Sequence, residues 1–254
     1  MKIISIIQAR LGSTRLPGKV LKPILSRPML SYMLERVKAA KRIDALMIAT
    51  TENKSDQPIV EFCRSEKIKC FRGSENDVLD RYYQAARSVQ AEIIVRLTAD
   101  CPLIDPAVVD EIVEAFLTKY PNIDFASNVK PATFPDGMDI EVFSFAALEW
   151  AWKETKNPLE REHVTPYFYD SPGRFRTLNV EAERDFSSYR LTVDYEDDFE
   201  VVSKILESLY RPGQPFGFRE VVKFLDENPE ILKKNAHQRN PWYAQYQASQ
   251  KGHP

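Results

Sequence analysis

Short, nearly uninterrupted apolar runs, each followed by residues at helical spacing, constrain this chain more than any other feature. The first run is Ile3-Ile-Ser-Ile-Ile7, and others fall at 44–49, 68–71 and 92–97. Runs without polar alternation suit strands buried on both faces. Between them, helical patterns are expected from near Pro28 and over 56–66, 77–89 and 105–120, with Asn76 placed to cap the third. Strand, helix, strand, helix with short links predicts an α/β fold whose mostly parallel sheet has right-handed crossovers.

The pattern changes after about residue 122. Residues 124–127 suit one more strand, and Met138 to Phe143 alternates. Helices are expected over 145–156 and 160–169, the latter interrupted at Pro166, and an exposed strand over 174–180. Residues 128–186 therefore read as an excursion from the main sheet. Residues 189–193 are expected to return to it, followed by helices over 199–210, 218–226 and 229–234. The domain is taken as 1–234. A polar tail over 235–254, carrying Trp242, Tyr243 and Tyr246, is expected to be partly disordered.

Composition narrows the function. The 254 residues are 43% hydrophobic and 28% charged, with net charge −2, so the basic residues are a local rather than a global feature and argue against a nucleic-acid partner. No apolar stretch approaches the ~18 residues of a membrane span. The N-terminus enters a strand with no signal peptide, and three cysteines without metal spacing read as reduced thiols, so a cytoplasmic location is expected. Cys101 reads as a small core thiol rather than a nucleophile.

The stretch after the first strand carries the chemistry: Gln8-Ala-Arg-Leu-Gly-Ser-Thr-Arg-Leu-Pro-Gly-Lys19. Arg10, Arg15 and Lys19 would repel one another on one loop unless an anion lay among them, and loops at strand ends of parallel sheets are where ligands bind. A polyphosphate cradle is the economical reading; a solvated basic turn is the plain alternative. The loop is not a Walker loop, because one residue too many separates Gly12 from Gly18 and Val20 stands where the Mg²⁺-binding hydroxyl belongs. The dinucleotide fingerprint G-x-G-x-x-G is absent. Asp100 follows a strand in Thr98-Ala-Asp-Cys-Pro-Leu103, and Asp194 follows the expected strand at 190–193. Each alone reads as a helix cap; together they suit one Mg²⁺ bridging phosphate oxygens.

Arg10-x-Gly12-Ser13-x-Arg15-Leu16-Pro17-Gly18-Lys19, after a first strand, resembles the signature of the sugar cytidylyltransferases, with the whole chain most similar to the spore-coat polysaccharide SpsF-type branch. The resemblance covers about residues 1–230. It implies a three-layer Rossmann-like nucleotidyltransferase fold, CTP and a sugar acid as substrates, and pyrophosphate release. It further implies polysaccharide biosynthesis and a homodimer formed through residues 128–186. By the same resemblance, Ala9, Arg10, Leu11, Gly12, Ser13, Arg15 and Lys19 surround the nucleotide, the backbone of Ala9 and Leu11 reads cytosine, and Arg72 and Asp77 sit near base and ribose. Asp100 and Asp194 would hold Mg²⁺, with Arg10, Lys19 and Asp100 in the catalytic set. Asp139, Glu141, Arg161 and His163 resemble acceptor-facing positions. For Asp139 and Glu141, alternation would place both carboxylates on one strand face, although a solvated strand and a satisfied histidine are the plain readings. The competing functions are a nucleotidyltransferase for another base and a glycosyltransferase, whose usual Asp-x-Asp is here Ala99-Asp100-Cys101.

Overall fold

A computed structural model describes residues 1–170 and 173–238. In chain order the elements are β1 (Ile3–Gln8), β2 (Pro23–Ile24), β3 (Arg27–Pro28), α1 (Met29–Ala39), β4 (Ala45–Thr51), α2 (Gln57–Ser65) and β5 (Lys69–Gly73). There follow α3 (Val78–Ser88), β6 (Ile93–Thr98), α4 (Pro106–Lys119), β7 (Phe125–Ser127), β8 (Glu141–Ser144), α5 (Phe145–Glu154), α6 (Pro158–His163) and α7 (Pro166–Tyr169). β9 (Thr177–Asn179), α8 (Glu196–Leu209), α9 (Phe218–Glu227) and α10 (Pro229–Asn235) close the described chain.

Seven strands form one sheet in the order β5-β4-β1-β6-β8-β7-β9, and β2 and β3 make a separate two-stranded ribbon. β5, β4, β1 and β6 run parallel, whereas β8 lies antiparallel between β6 and β7. The doubly buried runs explain the layering. Ile3 and Ile7 of β1 point to a core containing residues of α1, α4 and α8, while Ile4 and Ile6 point to a second core with residues of α3, α5 and α7. A strand whose two faces are both covered needs no polar alternation.

Four expectations change. Residues 128–186 are not an excursion from the sheet: β8 and β9 hydrogen-bond within it, and Phe143, Leu148 and Phe168 are fully buried in the second core. The alternating run yields a strand only from Glu141, because Asn128 satisfies the backbone before it; its side chain donates to Met138 O at 2.7 Å and accepts from Ile140 N at 2.9 Å. Residues 190–193 form no strand, making one isolated bridge between Asp136 and Arg190. Instead Leu191 N donates to Asp136 O and Val193 N to Asp100 O, at 2.7 and 2.8 Å, which pins this segment beside the turn after β6. Finally, Asp77 rather than Asn76 caps α3, accepting from Asp80 N at 2.9 Å.

The boundary near 234 also moves. Asn235 is buried, and its amide donates to Arg190 O at 3.1 Å and to Asp198 Oδ1 at 2.9 Å, so it belongs to the body. The aromatic residues of the expected tail lie outside the described residues.

Candidate active site

The C-terminal ends of β1 and β6 lie side by side, with Gln8 opposite Thr98. The loop after β1 and the turn after β6 therefore open on one edge of the sheet, where a cavity of about 610 Å³ is found. Ala9, Arg10, Ser13, Arg15 and Lys19 line it from the loop, Asp100 from the turn, and Asp194 from the segment before α8. Asp139, Glu141 and His163 line it as well.

The loop is held by its own backbone and by one buried carboxylate. Leu11 O accepts from Ser13 N at 2.9 Å and from Gly18 N at 3.0 Å, while Leu11 N donates to Asp56 Oδ1 at 2.7 Å. Thr51 Oγ1 donates to the other oxygen of Asp56. Gly18 has φ of 72°, a left-handed conformation that a side chain would strain, and it starts the short 3₁₀ turn Lys19–Leu21. That turn sends the Lys19 side chain inward.

Lys19 lies where three chain segments meet. Its Nζ donates to Val193 O at 2.6 Å, Asp194 Oδ1 at 3.0 Å and Asp100 Oδ2 at 3.2 Å. Burial alone would favour the neutral amine, yet Asp100 and Asp194 outweigh it and raise the ammonium pKa above its usual 10.5. Burial likewise works against the Asp100 charge, and Lys19 outweighs it, holding that carboxyl below its usual 3.8. Arg15 Nη2 reaches Asp194 Oδ1 at 2.7 Å and stacks its guanidinium over Tyr195 at 4.7 Å. The three loop cations do not simply repel one another, because Arg10 pairs with Glu75 at 3.6 Å and the other two with Asp100 and Asp194.

Beneath Asp194 lies an arginine that the sequence reading passed over. Arg190 is buried and donates to Asp194 Oδ2 at 3.0 Å, Asp198 at 2.8 and 2.9 Å, and Asp136 Oδ2 at 2.6 Å. Its signal in the sequence is spacing, because Arg190 stands four residues before Asp194 and eight before Asp198 and pairs with both.

Several predicted residues take other places. Leu11, Gly12, Arg72, Asp77 and Arg161 do not line the cavity. Arg72 is spent on the loop after β4, donating to Thr51 O, Asn53 O and Gln57 Oε1 at 3.0 to 3.2 Å. Asp77 and Arg161 pair with each other at 2.8 Å, and Arg161 also donates to Trp152 O and Thr155 O, so this contact clamps α6 to α3. The backbone N–H groups of Ala9 and Leu11 donate within the protein, to Ala49 O at 3.1 Å and to Asp56 Oδ1 at 2.7 Å. Glu141 is buried against Arg96 on the facing strand and does not share a strand face with Asp139.

Asp139 reaches into the open cavity, so its side chain keeps access to solvent although protein atoms surround it. That burial, with the charges of Asp136, Glu141 and Asp100, raises its pKa well above the usual 3.8. His163 has its pKa lowered, chiefly by burial. It precedes Val164, a buried branched residue at φ 69° and ψ −60°, with Thr165 N donating back to His163 O at 2.8 Å. This γ-turn aims both His163 and Thr165 at the cavity.

Among the described residues no group of three or more His, Cys, Asp or Glu side chains is placed to hold a metal ion. Asp100 and Asp194 are two carboxylates beside three cations, a donor set that fits Mg²⁺ shared with phosphate oxygens. The Asp194 oxygens already accept from Lys19, Arg15 and Arg190, so this fit requires Lys19 and Arg15 to turn onto those phosphates.

The sequence profile of the cytidylyltransferase family matches residues 4–247. The chain belongs to that family. It is a CTP-utilising nucleotidyltransferase with the sheet and flanking helices of that fold. This cytidylyltransferase is 32% identical to the spore coat polysaccharide biosynthesis protein SpsF of Bacillus subtilis, over 90% of this chain and 95% of SpsF. The solved structure of a cytidylyltransferase from Leptospira borgpetersenii is 38% identical, with a TM-score of 0.88 over 94% of this chain and 99% of that one. A CMP:2-keto-3-deoxy-manno-octonic acid synthetase shares the fold, at TM-score 0.63 and 20% identity over 83% of this chain and 100% of that one. Among the described residues no helix is long and apolar enough to cross a membrane.

Proposed function

We propose that this cytidylyltransferase transfers CMP from CTP to a hydroxyl of a sugar acid, releases pyrophosphate, and serves polysaccharide or surface-glycan biosynthesis. The observation that carries the reading is the meeting of Lys19, Asp100 and Asp194 within hydrogen-bond distance at the end of a cavity lined also by Arg10 and Arg15. The names of two relatives support the substrate class: SpsF belongs to spore coat polysaccharide biosynthesis, and the octonic acid synthetase was solved with CTP.

The reaction is a direct displacement. The sugar oxygen bonds to the α-phosphorus as the bond to the bridging oxygen of pyrophosphate breaks. No side chain has to act as a covalent nucleophile, so the work is positioning and charge neutralisation. Arg10, Arg15 and Lys19 bind the β- and γ-phosphates and offset the charge growing on the leaving group. Asp100 and Asp194 are the residues that would hold Mg²⁺, which when bound adds positive charge at the phosphates. The sugar sits against the wall of Asp139 and His163. The functional unit in this reading is a cytoplasmic homodimer joined through residues 128–186, where, among the described residues, β9 pairs only with β7 and Trp150 is exposed.

A panel of sugar acids offered with CTP and Mg²⁺, read as pyrophosphate release, tests the proposal. Release with one acid and not with neutral sugars is the expected result. Transfer to none of them, or equal use of UTP, would overturn it.

A further inference from the structure

Three cations hold Asp194, and they differ in where they stand. Lys19 Nζ and Arg15 Nη2 reach Oδ1, at 3.0 and 2.7 Å, and both residues line the cavity. Arg190 Nη2 reaches the other oxygen, Oδ2, at 3.0 Å, from a side chain that is 4% exposed and does not line the cavity. One oxygen of Asp194 is thus shared with the ligand space, and the other is held from within the protein.

We infer that Arg190 is a positioning residue for the metal: it keeps Oδ2 of Asp194 while Lys19 and Arg15 turn onto the phosphates, and so leaves Oδ1 alone to take Mg²⁺. This inference rests on the reading of Asp100 and Asp194 as the metal-holding pair. A carboxylate whose cavity-side partners have left would be free to swing or to offer both oxygens. Mg²⁺ requires near-ideal octahedral geometry, which suits a single oxygen held in one direction. A guanidinium stays charged throughout the range in which proteins fold, and from Oδ2 it does not compete with the metal for Oδ1.

The arginine is itself immobilised. Its Nε and Nη2 donate to Asp198 at 2.8 and 2.9 Å, and its Nη1 donates to Asp136 Oδ2 at 2.6 Å. Asp198 is fully buried and accepts three further bonds, from Asp194 N at 2.9 Å, Tyr195 N at 3.0 Å and Asn235 Nδ2 at 2.9 Å. One carboxylate therefore fixes both the backbone of Asp194 and the side chain that grips its Oδ2. Asn235 also donates to Arg190 O at 3.1 Å, which ties the arginine to α10. Asp198, Tyr195 and Asn235 do not line the cavity, so an entering ligand does not compete for their bonds. A lysine could not take this place, because it presents one nitrogen where Arg190 serves three carboxylates from a planar set of donors.

The test compares the full chain with its Arg190→Lys variant by calorimetric titration of CTP, with Mg²⁺ and with EDTA, followed by titration of Mg²⁺ into the CTP complex. For the wild type, Mg²⁺ is expected to tighten CTP binding. In Arg190→Lys the affinity for Mg²⁺ should fall about tenfold to a hundredfold, as for other partners that orient a metal's ligands, while metal-free CTP binds as before. Equal losses with and without the metal would mark a general packing defect and overturn the proposal, and so would undiminished Mg²⁺ affinity in the variant. A wild type indifferent to Mg²⁺, or an Asp194→Asn variant that keeps the gain, sinks the metal reading as well. A gain that Asp194→Asn loses and Arg190→Lys keeps removes only Arg190. Should Arg190→Lys fail to fold, a crystal structure of the wild type with CTP and Mg²⁺ decides. Arg190 should remain hydrogen-bonded to Oδ2 with Oδ1 on the metal, and an Asp194 that has released Arg190, or that binds the metal through Oδ2, refutes the assignment.

Discussion

Lys19→Met removes the cation between Asp100 and Asp194 while keeping the length of the side chain. The structure sets the scale of the effect. Two charge pairs at 3.0 and 3.2 Å are lost, each about 5 kcal/mol in attraction at an effective dielectric near 20. Burial of the ammonium offsets much of that, Asp100 retains some solvent access, and Asp194 keeps Arg15 and Arg190. The net loss is therefore about 2–4 kcal/mol, near the low end for breaking a buried pair. For a chain of this size that corresponds to a fall of about 5–15 °C in melting temperature.

The pH dependence separates this cause from a generic packing defect. Lys19 holds the Asp100 carboxyl below 3.8, so the stabilisation is present above that value and is lost as the pH falls through the folded-state pKa. On the basic side, the raised Lys19 pKa means the contribution holds below 10.5 and is lost as the ammonium finally titrates above it. The melting difference between wild type and variant should thus be full at neutral pH and shrink below about pH 4. Pyrophosphate release should fall about a hundredfold or more, because a positive charge facing the leaving group is gone. A difference that stays constant from acid to neutral pH, or a variant that turns over normally, would refute the electrostatic account.

Three further outcomes follow from the same geometry. Asp100→Asn should abolish pyrophosphate release while melting within a few degrees of wild type, since Lys19 retains Asp194; residual turnover near the wild-type rate would remove Asp100 from the reaction. Gly137→Ala should destabilise by roughly 3 kcal/mol or more in urea titration, because the added Cβ would lie 2.6 Å from Thr192 N at φ 102°, and an unchanged midpoint would contradict that close approach. Burial pushes Asp136 up to about 6, against the pull of Arg190 and with help from Asp194 and Asp100. Between 3.8 and about 6 the folded form then binds more protons than the unfolded chain, so this group's contribution to stability declines as pH rises. Asp136→Asn should remove that decline, and melting curves that stay parallel across this window would show that the carboxyl titrates normally.

The parallel half of the sheet and the cation loop were legible in the sequence because their causes are local. An apolar run such as Ile3-Ile-Ser-Ile-Ile7 has to be covered on both faces, and Gly18 admits the turn that sends Lys19 inward, whatever lies far along the chain. Asp100 and Asp194 could likewise be picked out as carboxylates following a strand or a strand-like run. Their meeting with Lys19 depended on contacts between residues 81 and 175 positions apart, which no local pattern encodes.

Long-range competition for hydrogen bonds decided the rest. Asp56 and Ala49 took the N–H groups of Leu11 and Ala9, Thr51 and Asn53 took Arg72, and Asp77 took Arg161. Asn128 replaced strand pairing ahead of Glu141, and the turn after β6 captured residues 191–193, which otherwise read as a strand. A sequence fixes which groups can donate and accept. Only the packed chain determines which partner reaches each of them first, and so left the buried Nε of Arg81 without one among the described residues.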